Sequence, residues 1–113
     1  MNYKRTLTDN GAVIGNTYIA DTPFLRLRGL LMRPPLDDDS ALLITPCNSV
    51  HTLFMMYPID VIFIDESHNI VKIVENLKPW RIAFCFRAKQ VLELRSNGVK
   101  DNGFELGDRV SFC

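Results

Sequence analysis

At 113 residues the chain fits one domain, taken here as 1–113, long enough to bury roughly two thirds of its unfolded surface without disulfide or metal staples. Thirteen Lys and Arg against thirteen Asp and Glu leave no net charge, which removes an overall field toward nucleic acid or an anionic membrane but leaves room for a local basic patch. Three cysteines, Cys47, Cys85 and Cys113, cannot all pair and form no Cys-x-x-Cys unit, and no window is apolar for long enough to span a membrane. These features read as a soluble, unexported cytoplasmic protein with reduced thiols.

Residues 3–20 predict short strands around Leu7, Val13-Ile14 and Tyr18-Ile19, with turns at Asp9-Asn10-Gly11 and Gly15-Asn16. Thr22-Pro23 starts a short helix over residues 23–32, with Thr22 as N-cap and Phe24, Leu27, Leu30 and Leu31 on one face. It ends near Met32, ahead of Pro34-Pro35. Residues 41–45 form an apolar run that predicts a buried strand stopped by Pro46.

The stretch from His51 to Asp65 is the longest mainly apolar one, and within it Val61-Ile-Phe-Ile64 predicts a strand from Asp60 to Asp65 covered on both faces. A turn at 66–69 joins it to residues 70–76. Their alternation places Ile70, Lys72, Val74 and Asn76 on one face, with Val71, Ile73 and Glu75 on the other. Leu77-Lys-Pro-Trp-Arg81 breaks that pattern, and residues 82–86 read as a further short strand or an ordered loop. Residues 90–95 predict a strand, 99–103 one helical turn, and 106–112 a turn and final strand. The fold class is mainly β (α+β), a small sandwich or barrel-like fold with one short helix near residues 23–32.

Ile19-Ala-Asp-Thr-Pro23, Arg28-Gly-Leu30, Ala41-Leu-Leu43, Pro58-Ile-Asp-Val-Ile-Phe-Ile-Asp65, Ile70-Val71, Val91-Leu-Glu-Leu94 and Gly107-Asp-Arg-Val110 occur in an order and spacing that resembles the domain of unknown function 192 family. The resemblance covers residues 17–112. It implies a compact, mainly β domain of the sandwich type found in bacteria and archaea, with no established catalytic activity; separately, no cofactor is expected. Many members carry an aromatic residue and a Met-Lys-Asn run ahead of Pro-Leu-Asp. This chain instead has His51-Thr-Leu-Phe-Met-Met-Tyr57 before Pro58-Ile-Asp60.

Two loops carry the unusual chemistry. Around 47–58, His51, Thr52, Met55 and Tyr57 stand next to Pro58, which removes a donor and interrupts strand pairing. Around 77–82, Lys78-Pro-Trp-Arg81 sets the single tryptophan between two cations, a combination frequent at recognition surfaces and equally able to plug the end of a sandwich. The first reading is a non-catalytic accessory or binding module in which these loops meet and His51, Thr52, Met55, Asp60, Lys78, Trp80 and Arg81 recognise a small ligand or a protein partner, with no nucleic acid expected. The alternative is a small hydrolase or metal-dependent enzyme using His51, Asp60 and Cys47, with Glu93 as a second carboxylate. Cys47 and His51 are weak metal candidates, because their four-residue spacing follows a proline and is not helical.

Overall fold

The computed structural model describes residues 3–28 and 35–113. The strands are β1 (Tyr3–Thr8), β2 (Val13–Ala20), β3 (Ser40–Ile44), β4 (Ser49–His51), β5 (Ile59–Ile64), β6 (Ile70–Leu77), β7 (Ile82–Phe84), β8 (Gln90–Arg95) and β9 (Val110–Phe112). Two helices, α1 (Pro23–Arg28) and α2 (Gly98–Asn102), complete a mainly β fold. Thr22 caps α1 as expected, its hydroxyl accepting the Leu25 N–H at 3.2 Å. The apolar face proposed for Phe24, Leu27, Leu30 and Leu31, and the helix end at Met32, lie outside the described residues.

Seven strands form one sheet in the order β6-β5-β8-β3-β2-β1-β9, antiparallel except for the β2–β3 pair. The sheet curls until its two edges touch at a single bridge between Asn69 and Arg109. There the Ile70 N–H donates to the Asp108 carbonyl at 2.9 Å and the Val110 N–H to the His68 carbonyl at 2.8 Å. The result is barrel-like, with an open seam beyond that contact.

Side-chain alternation divides the apolar residues between two cores. Ile14, Leu43, Ile62, Ile64, Leu92 and Leu94 fill the inside of the curl, where Val99 and Phe104 join them from α2 and the turn after it. Leu42, Ile44, Val61, Phe63 and Val91 face the other way, under a cover that includes Val50, Met55 and Ala83. All six residues of β5 are therefore buried, which accounts for its unbroken apolar run from Val61 to Ile64.

Two local expectations change. Gly15-Asn16 is not a turn but lies inside β2, and a Cβ on Gly15 would sit 2.3 Å from a carboxylate oxygen of Asp39. Glycine serves there for close approach, since its N–H donates to that same carboxylate at 2.7 Å. In β6 the simple alternation is broken by irregular register against β5. Ile70 and Ile73 consequently share the inner core while Val71 and Val74 join the outer one.

Candidate functional site: the cap formed by β4 and β7

β4 and β7 form a separate antiparallel pair with Ser49 opposite Phe84, Val50 opposite Ala83 and His51 opposite Ile82. Val50 and Ala83 point inward and are buried in the outer core. Strand alternation turns Ser49, His51, Ile82 and Phe84 outward, and all four are exposed. The pairing brings the 47–58 and 77–82 loops together.

Thr52 joins the two loops. It is fully buried, and its N–H donates to the Arg81 carbonyl at 2.8 Å while its own carbonyl accepts the Trp80 N–H at 2.9 Å and the Met55 N–H at 3.1 Å. Its hydroxyl donates to the Lys78 carbonyl at 2.5 Å and accepts the Arg81 N–H at 2.9 Å. A buried backbone break at a proline-rich loop needs such a polar residue, because each unpaired donor or acceptor would cost about 1–3 kcal/mol. Met55 is buried beneath the loop as its apolar anchor.

Outward from this knot the surface is apolar. Phe54, Met56, Trp80, Ile82, Phe84 and Phe86 are between 50 and 91% exposed. The Phe54 and Trp80 rings meet edge to face with centroids 4.7 Å apart. Both residues have left-handed backbones, φ 66° and 65°, a conformation costing bulky residues on the order of 1 kcal/mol and held here by the Thr52 bonds. Lys78 and Arg81 flank the indole and are exposed, with the Arg81 guanidinium 3.4 Å from the Trp80 carbonyl.

The residues proposed for catalysis do not converge. Asp60 is fully buried and pairs with Leu94, so its side chain faces inside the curl. Its carboxylate accepts the Asn76 N–H at 2.8 Å and the Val99 N–H at 2.9 Å, serving as the cap of α2 that Asn97 does not supply with its own side chain. Glu93 pairs with Val61 and faces the outer core, so the two carboxylates lie on opposite faces of the sheet. His51 stands on the exposed face of the cap, away from both.

Cys47 packs partly buried against the outer core and its thiol donates to the Ser49 carbonyl at 3.0 Å. Burial pushes that thiol up, which disfavours the thiolate a nucleophile requires. A cleft of about 310 Å³ beside it is lined by Arg26, Pro46, Cys47, Asn48, Ala88 and Lys89. Among the described residues no three His, Cys, Asp or Glu side chains gather as metal ligands.

Sequence reasoning passed over Phe54, Ile82, Phe84 and Phe86 as surface residues, yet a signal was present. Residues 46–58 and 77–90, the two segments that build the cap, contain Lys78, Arg81, Arg87 and Lys89 and no Asp or Glu. Nine cations face thirteen acids in the rest of the chain, so a neutral total conceals a cap of formal charge +4 and a remainder of −4.

Comparison with known proteins fits this architecture to a family. The family model DUF192, described as "Uncharacterized ACR", matches residues 5–112. The chain belongs to this family. A UPF0127 protein of Thermococcus sibiricus is 33% identical over 103 residues, covering 87% of this chain and 66% of its own length, a little under two thirds. A UPF0127 protein of Pyrococcus horikoshii is 34% identical over 105 residues, covering 87% of this chain and 88% of its own. Among solved structures, a Sinorhizobium meliloti protein for which a role as transcription regulator has been suggested superposes with a TM-score of 0.85 at 25% identity, over 98% of this chain and 94% of its own. A Novosphingobium aromaticivorans protein of unknown function gives a TM-score of 0.83 at 20% identity, over 96 and 83% respectively, a likeness of fold. The DUF192 family is one of unknown function, so activity has to be argued from the site.

Proposed function

We propose that this DUF192 protein is a non-catalytic binding module whose working surface is the outer face of the β4–β7 cap. One observation carries the reading: of the nine large apolar side chains exposed among the described residues, six (Phe54, Met56, Trp80, Ile82, Phe84 and Phe86) belong to the two segments that build the cap, while Tyr3, Val13 and Leu106 come from three separate parts of the chain. Exposed apolar surface of that extent, with aromatic residues beside cations, is characteristic of interaction sites. The rigid sheet beneath, and the Thr52 bonds that hold the loop backbones, support a surface that binds without first having to order itself.

The apolar anionic dye 1-anilinonaphthalene-8-sulfonate tests this reading, since it requires both features of the cap. The native protein is expected to bind it with energy transfer from Trp80, and Ile82→Ser with Phe84→Ser to weaken binding at least tenfold. Dye binding by the folded protein that is indifferent to those substitutions would place the apolar surface elsewhere and refute the proposal.

A further inference from the structure

Building on that reading, we propose that the cap's occupant is an anionic lipid surface, with Trp80, Phe54, Ile82 and their neighbours entering the headgroup–acyl boundary and Lys78 and Arg81 meeting the phosphates. If the cap reading fails, this proposal fails with it. The reverse does not hold, and the test below separates the two.

Charge supplies the first argument. All four formal charges of the cap segments are positive, while the rest of the chain is net negative. A molecule polarised in this way turns its cap toward an anionic plane and its remainder away from it. Lys72 adds a fifth cation at the margin, its ammonium donating to the Phe84 carbonyl at 2.8 Å. Acids do border the cap: the buried Glu93 acts electrostatically on Cys47, Glu75 stands two residues before Leu77, and Asp65 and Glu66 line a cleft with Phe86, Arg87 and Lys89. Asp65 already accepts the Ser67 and Asn69 N–H groups at 2.9 Å. The described ion pairs join Arg95 to Asp38 and Asp101, so none neutralises a cap cation.

Shape and chemistry supply the second. Met56 at 91%, Phe86 at 82% and Ile82 at 70% exposure are projecting side chains. A helical peptide lays its apolar face into a groove, whereas a fluid interface closes around protruding groups. Tryptophan flanked by Lys and Arg is the combination that settles at membrane boundaries, the indole in the interface and the cations reaching its phosphates.

Other occupants fit less well. A second copy bound face to face would oppose the four cap cations of one protomer to those of the other. Single-stranded nucleic acid stacks successive bases on ring faces, and although Phe84 and Phe86 are exposed, the Trp80 and Phe54 rings pack edge to face against each other and Met56 and Ile82 offer no π-face.

The test is flotation of the whole chain with vesicles of phosphatidylglycerol and phosphatidylcholine against phosphatidylcholine alone, with Trp80 emission recorded in parallel. The proposal predicts at least tenfold stronger partitioning to the anionic vesicles, a blue shift of Trp80, and loss of binding in high salt. Charge reversal at Lys78, Arg81 and Arg87 should reduce partitioning on the order of a hundredfold. Trp80→Ser with Ile82→Ser should abolish it, and Lys4→Glu with Arg5→Glu, remote in sequence from the cap segments, should not. Thermal melts confirm that each variant is folded. No partitioning to anionic vesicles, or equal partitioning by the charge-reversed protein, overturns the proposal. Oligothymidine, an acidic aromatic peptide and sedimentation over a range of concentration are run alongside. A Trp80 response to one of these without vesicle binding would retain the cap as a site and reject lipid, and silence in every arm would reject lipid and leave the cap to be decided by the dye.

Discussion

The central sheet and the cap use the same kinds of residue in opposite ways. In β5 and β8, Val61, Ile62, Phe63, Leu92 and Leu94 are wholly or almost wholly buried, and the two carboxylates among them are shut away with them. In the cap, Phe54, Ile82, Phe84 and Phe86 carry comparable apolar area into solvent. Under the proposed function the difference separates residues that hold the fold from residues left available to a partner, and substitutions should divide along the same line.

The largest effect is expected inside the sheet, at Glu93. Burial pushes its carboxyl up to about 8, and its Oε1 has no hydrogen-bond partner. In the unfolded chain the group ionises near 4.3, so between roughly pH 4.3 and 8 the folded state binds more protons than the unfolded one. Stability must therefore fall as pH rises through that window, by up to about 5 kcal/mol, and level off above it. Urea titrations at pH 5 and pH 8 should show this slope, and Glu93→Gln should flatten it and stabilise the protein at pH 8. A wild-type midpoint that is constant or rises across the window would contradict the assignment.

Asp60 comes next, as the satisfied counterpart of Glu93. Asp60→Ala leaves the Asn76 and Val99 N–H groups without their acceptor and should cost about 4 kcal/mol in urea unfolding, with early loss of amide protection at Val99. Thr52→Val, at the boundary between the regions, should cost about 2 kcal/mol by freeing the Lys78 carbonyl and the Arg81 N–H. Its effect should be visible as a change in Trp80 emission with the sheet's far-UV signal intact.

The sheet was legible in the sequence because its pattern is local. The continuous apolar run at 61–64 requires cover on both faces, and the structure supplies an inner core on one and an outer core on the other. The irregular pairing of β6 was not legible, since alternation in one strand says nothing about the register of its neighbour. Gly15 shows the same limit: glycine permits a turn and also permits contact, and only the position of Asp39 decides. Asp60 reads from the sequence as a candidate binding or catalytic carboxylate, whereas it holds backbone N–H groups of β6 and α2, 16 and 39 residues away.

For the candidate site, the stretches around His51 and Trp80 were recognisable from proline breaks and lone aromatic chemistry. Their meeting depends on the β4–β7 pair and on Thr52, whose role is invisible without the fold. Which apolar residues face out was equally hidden, because the alternation through Ile82, Ala83 and Phe84 reads alike whichever face is covered. The missing acids in 46–58 and 77–90 were the readable clue, and a whole-chain charge of zero concealed them.

The smallest expected effect on stability is also the most direct test of the account. Phe54→Ser, Ile82→Ser, Phe84→Ser and Phe86→Ser are combined in one chain and its urea unfolding is compared with that of the native protein. If these side chains are held out for a partner, the unfolding free energy should change by less than about 2 kcal/mol, up to about 0.5 kcal/mol for each of the surface positions. A loss of 3 kcal/mol or more would make the cap face part of the protein's own core and contradict the claim that it is a binding surface.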